Sequence, residues 1–120
     1  MGPGKNIIKT LEGIKEETGH EIHVHISSFF FENNLEEISR KLFVFYNKHS
    51  NKKSVLIYIN KKNRNFTFVC NEELIKKIGR NYLNTLSEHF SEDLLSTKLE
   101  RALLILLKTL QITLPRKPSL

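Results

Sequence analysis

The sequence predicts a single α/β domain, a layered sandwich with a small mixed sheet (one parallel crossover plus a β-hairpin) packed between helices. Three observations predict it. Ser54-Val55-Leu56-Ile57-Tyr58-Ile59 is almost wholly apolar and rich in β-branched and aromatic residues, as befits a strand buried on both faces. Phe66-Thr67-Phe68-Val69 follows after the polar stretch Asn60 to Asn65, which reads as a hairpin loop. The rest of the chain supplies helical patterns with one apolar face, the layers that such a sheet needs on each side. At 120 residues there is enough chain for one domain with its own core, placed at residues 5–115 between a short N-terminal extension, 1–4, and a basic tail, 116–120.

The elements follow in order. Ile7, Ile8, Leu11 and Ile14 recur at helical spacing, and Gly19 ends that helix in the manner of a C-terminal glycine. Glu21-Ile22-His23-Val24-His25-Ile26 alternates as a strand, with Ile22, Val24 and Ile26 on one face and Glu21, His23 and His25 on the other. Phe29, Phe30 and Phe31 make an unusually apolar loop. Asn33 and Glu36 have capping-box spacing ahead of a stripe of Leu35, Ile38, Leu42, Phe45 and Tyr46. Strand, helix, strand implies a parallel pair joined by a crossover, with the Phe66 strand antiparallel to the second. Asn71 caps a helix from Glu72, Gly79 kinks or ends it, and Tyr82, Leu83, Leu86 and Phe90 mark another. Thr97 and Glu100 form a capping box for a last, leucine-rich helix that stops before Pro115.

Composition narrows function only coarsely. Lys and Arg exceed Asp and Glu by 19 to 13, a net charge of +6 that favours anionic partners. The lone Cys70 excludes an internal disulfide and a multi-cysteine zinc site. The longest apolar run, Ala102 to Leu107, is far below the roughly 18–20 residues of a membrane span. The chain reads as cytoplasmic if full length, and as extracytoplasmic or membrane-associated if it is a fragment of a longer protein.

Several of these segments resemble the TPM domain family, which includes thylakoid-lumen phosphatase-like proteins and photosystem II repair factors. The likeness spans about residues 7–115. It rests on Glu17-Thr18-Gly19-His20-Glu21-Ile22-His23-Val24-His25-Ile26, on Ser54-Val55-Leu56-Ile57-Tyr58-Ile59, on Arg64-Asn65-Phe66-Thr67-Phe68-Val69, and on the last helix ending at Leu114-Pro115. The resemblance implies a TPM-like fold. Phosphatase activity and metal binding are associated with some members, but the acidic turn of the family, G-D-x-G-I, is here Cys70-Asn71-Glu72-Glu73-Leu74, and a following acidic pair is replaced by Arg80 and Asn81. Replacing acids with Asn and Arg removes hard oxygen charge from a cation site. The chain therefore reads as a divergent member, and the activity is not carried over.

Other chemistry is weighed residue by residue. Asp93 is the single aspartate, and metal-assisted hydrolysis asks for several converging carboxylates. Cys70 precedes a helix N-terminus that favours a thiolate, although an ordinary partly buried thiol is the plainer reading. His23 and His25 share a strand face about 7 Å apart and, with Asn71 and Glu73, are the weak metal candidates. The plainer reading makes the two histidines polar residues near a sheet end or under a helix. Arg64 to Val69 overlaps the RNA-binding pattern K/R-G-F/Y-G/A-F-V-x-F/Y without its glycines. An RNA reading would use Lys61, Lys62, Arg64, Phe66 and Phe68. Leu103 to Leu107 surround the last helix with apolar side chains, so Leu104 and Ile105, with Phe29, Phe30 and Phe31, are candidates for contact with a protein partner or a second copy. The alternative is a central helix covered on both sides within the domain. The favoured expectation is a non-enzymatic accessory or protein-interaction module with no cofactor. A phosphatase-like hydrolase and a basic RNA-binding domain are the alternatives.

Overall fold

The helix and strand signals resolve, in the computed structural model, into α1 (Lys5–Thr18), β1 (Glu21–Ser27), α2 (Leu35–His49), β2 (Ser54–Asn60), β3 (Asn65–Cys70), α3 (Glu72–Ile78), α4 (Arg80–Ser96) and α5 (Leu99–Thr113). The structure describes residues 4–28, 34–49 and 54–116. The sheet has the order β1-β2-β3. β1 runs parallel to β2 with Ile22 opposite Val55 and His25 opposite Tyr58, and β2 runs antiparallel to β3 with Ile57 opposite Phe68. This is the mixed α/β sandwich that the apolar strand demands.

All seven residues of β2 are buried, because it is the middle strand and carries a helical layer on each face. Val55, Ile57 and Ile59 join Ile22 of β1 and the apolar sides of α1, α4 and α5 in one core. The alternate residues, Leu56 and Tyr58, face the side on which α2 lies across β2 and β3. A fully buried aliphatic side chain of this size contributes roughly 1.5–3 kcal/mol, so β2 is the strand whose disruption costs most.

The helical layer explains the crowded apolar surface of α5. α1 packs along it on one side and α4 on the other, so Leu103, Leu106, Leu107 and Leu110 are all buried. α5 is thus a central helix within its layer. Gly19 closes α1 in the left-handed region at φ 77, its N–H donating to the Lys15 carbonyl. Gly79 separates α3 from α4 at φ 100 and ψ 125, and nothing lies within 4 Å of where a Cβ would sit, so backbone conformation alone asks for glycine there. Arg116 and Gln111 bond to Glu17 and hold its carboxyl below the usual range, Arg116 most strongly, tying the chain after α5 to α1.

Three expectations are corrected. The cap of α2 is Asn34, whose Oδ1 accepts the Glu37 N–H and whose Nδ2 donates to Glu37 Oε2 at 2.9 Å. Asn33–Glu36 and Asn34–Glu37 have the same spacing, so sequence alone does not separate the two registers. Thr97 does not cap α5: its hydroxyl donates back to the Asp93 carbonyl at the end of α4, and Glu100 lies against Gly4. The α4–α5 junction is so short that one residue serves the helix it ends. Phe45 is 56% exposed rather than part of the buried stripe, because α2 sits on the sheet through Ile38, the fully buried Ser39 and Leu42.

Candidate functional site

Each sequence-derived candidate has a definite place. His23 and His25 do share the α2-facing side of β1, but each is spent on a ring partner. His23 stacks on Tyr46 of α2 with centroids 4.1 Å apart and planes 7° from parallel, and His25 stacks on Tyr58 at 4.9 Å. Burial holds the His23 imidazole below its usual pKa, with Lys15 adding to the effect and the Glu21 carboxylate, 3.7 Å from Nε2, opposing it. Among the described residues no three of His, Cys, Asp and Glu gather as a metal site would require. Asn71 is occupied in capping, its Oδ1 accepting the Leu74 N–H at 2.9 Å, and Glu73 is exposed on α3 beside Lys77.

Cys70 follows the plainer of its two readings, a partly buried thiol. Its thiol is pushed up to about 11, chiefly by burial and then by Glu72, with Arg80 opposing. Desolvation of a thiolate outweighs the short helix that follows, so the side chain is a neutral, partly buried thiol. Phe66 and Phe68 turn towards the helical layer and pack on the core, Phe66 meeting Phe90 edge to face with centroids 4.7 Å apart. Those rings are not laid out on an open sheet face. Phe29, Phe30 and Phe31 lie outside the described residues.

What the fold does bring together are two features on the α4–α5 side. The first is a cleft of about 340 Å³ between these helices, floored by Leu86, Phe90 and Leu106 and edged by Tyr82, His89 and Ile105. Ile105 is 44% exposed at its edge, and Ile112, two turns further along α5, is 79% exposed. Tyr82 shares a 3.1 Å hydrogen bond with Thr113, which fixes one end of the groove. Leu104, by contrast, packs against the core. The second feature gathers Lys61, Lys62 and Arg64 of the hairpin turn with Lys98 and Arg101 at the start of α5. Sequence reasoning found the hairpin cations and Ile105 but missed Lys98, Arg101, Tyr82 and Ile112. Nothing local in the sequence joins the hairpin to the α4–α5 junction. A periodicity check of α5 would have found Ile112, since it stands one heptad after Ile105.

No protein-family model matches the chain, and no curated protein matches it. Among solved structures the chain is similar to the NMR structure of the BA42 protein from the psychrophilic bacterium Bizionia argentinensis, with a TM-score of 0.80 and 17% sequence identity over 92% of this chain and 77% of that one. At that identity the likeness shows the fold alone.

Proposed function

We propose that the chain is a non-enzymatic accessory module of TPM-like fold that binds a partner protein, or a second copy of itself, through the α4–α5 groove. The observation that carries this reading is a cleft with a buried apolar floor edged by the exposed Tyr82 and Ile105, with the exposed Ile112 seven residues after Ile105 on α5. Scattered surface apolar residues are ordinary, but a cleft rimmed by them is the form that docking surfaces take. The TPM likeness is supported by where its motifs fall: Glu17 to Ile26 runs from the end of α1 through most of β1, and the other two strand segments cover most of β2 and β3.

The test pairs Ile105→Glu with Ile112→Glu. Both residues are on the surface, so the variants should keep stability to within about 0.5 kcal/mol while losing partner capture or self-association. A sharp monomer mass at high micromolar concentration, together with no binding of an apolar dye and identical protein capture by wild type and the double variant, would refute the reading.

A further inference from the structure

The basic side chains at the far end of the sheet form a site in their own right, independent of the partner-docking reading. β1 and β2 both end here, and the C-terminal ends of parallel strands are where open α/β sheets take ligands. A cavity of about 420 Å³ is walled by Ile59 and Asn60 of β2, by the hairpin turn, and by Leu94, Lys98 and Leu99 at the α4–α5 junction. A shallower hollow of about 730 Å³ shares Arg64 and Lys98 with it and adds Arg101. Among the described residues no Asp or Glu lines either space. Lys61, Arg64, Lys98 and Arg101 enter no ion pair among the described residues. Glu100, the acid closest to them in the chain, is turned away against Gly4.

We propose that this cavity binds a small phosphate-bearing ligand of the nucleoside diphosphate class. Charge of one sign in a low-dielectric cleft focuses the field, so the cations together favour a polyanion more than any surface lysine would alone. The volume suits a small ligand, and half-buried Leu99, backed by the buried Ile59 and Leu94, offers an apolar contact for its organic part. The walls are held before any ligand arrives. The Lys61 N–H donates to the Ser27 carbonyl at 2.8 Å, and the Asn63 N–H to the side chain of fully buried Asn60 at 2.9 Å. Arg64 takes a left-handed backbone conformation, φ 52, and its Nη1 donates to the Leu94 carbonyl at 2.8 Å. That anchor spends one arm of the guanidinium and leaves the other N–H groups for phosphate oxygens. An RNA strand is the less suited occupant, because the rings that would stack its bases, Phe66 and Phe68, face the core.

The experiment follows backbone amide shifts of the labelled chain during titration with pyrophosphate, ADP and a short mixed-sequence RNA, each at matched ionic strength. Saturable shifts confined to residues 59–64 and 94–101 are expected with ADP. Lys61→Gln with Lys98→Gln should weaken binding about tenfold or more, while Lys5→Gln with Lys9→Gln on α1 should leave it unchanged. Arg101→Gln is a single exposed change that repeats the test on the second hollow. Equal binding of pyrophosphate and ADP assigns recognition to the phosphate chain, and tighter ADP binding assigns part of it to the nucleoside; both uphold the site. Shifts that spread over the surface without saturating, or equal losses from both lysine pairs, reduce the effect to net charge and overturn it. Saturation by RNA with silence to pyrophosphate and ADP overturns it in favour of single-stranded nucleic acid.

Discussion

Phe66 and Phe90 offer a direct energetic test of which way β3 faces. The rings meet edge to face at 4.7 Å and 75°, with Phe90 almost fully buried and Phe66 half-buried. Truncating Phe90 to Ala removes a large buried ring from the centre of the core and should cost about 3–5 kcal/mol. A domain of this size has roughly 5–15 kcal/mol of total stability, so that variant sits near the edge of folding, and Phe90→Leu is the milder companion. Phe66→Ala should cost less, because the ring is only partly removed from water. In a double-mutant cycle the two rings should show a coupling of about 0.5–1.5 kcal/mol beyond the sum of their burial. Urea unfolding followed by far-UV circular dichroism supplies the free energies, with the slope against denaturant checked for constancy. Additive losses, or a Phe66→Ala variant as stable as wild type, would show that Phe66 does not lean on α4 and would return it to an open sheet face.

Four further outcomes are expected. Asn71→Ala should lower stability by about 1 kcal/mol through loss of the bond to the Leu74 N–H, measurable as a drop in urea midpoint. Gly79→Ala should cost about 1–3 kcal/mol from backbone strain at φ 100 alone, because there is no clash to relieve; an unchanged midpoint would contradict this. The folded state holds His23 below the ordinary pKa of about 6.5, so the unfolded chain binds the extra proton first. Its contribution to stability is therefore complete above that value and is lost as pH falls from there towards the lowered folded pKa; His23→Phe, which keeps a ring against Tyr46, should flatten the fall in urea midpoint over that window. Cys70 should react slowly with a thiol-specific disulfide reagent at pH 8, since its pKa near 11 leaves little thiolate, and unfolding in urea should restore the ordinary rate.

The strands and most helix ends were legible in the sequence because they rest on local physics. β2 has no polar face, Glu21 to Ile26 alternates with period two, and Gly19, Asn71 and Gly79 each mark a helix end that a φ angle or a cap bond then realises. What escaped was decided between neighbours. Whether Asn33 or Asn34 caps α2, and whether Thr97 serves α4 or α5, are choices between equal local signals that packing settles. Cys70 is legible in the sequence as a partly buried thiol, and the structure adds the reason, burial that outweighs the helix start beside it.

The candidate sites divide in the same way. Lys61, Lys62 and Arg64 stand together in the chain, so a basic loop could be read directly. That they wall a cavity with Lys98 and Arg101 depends on Arg64 reaching the Leu94 carbonyl and on the turn where α4 hands over to α5. By itself, then, the sequence determined the α/β class, the central strand and the excess of positive charge, because periodicity and composition act over a few residues. Only the tertiary structure decided which faces of α5 are covered, which way Phe66 and Phe68 point and where the cations converge, because those depend on long-range packing between elements that carry no mutual signal in the chain.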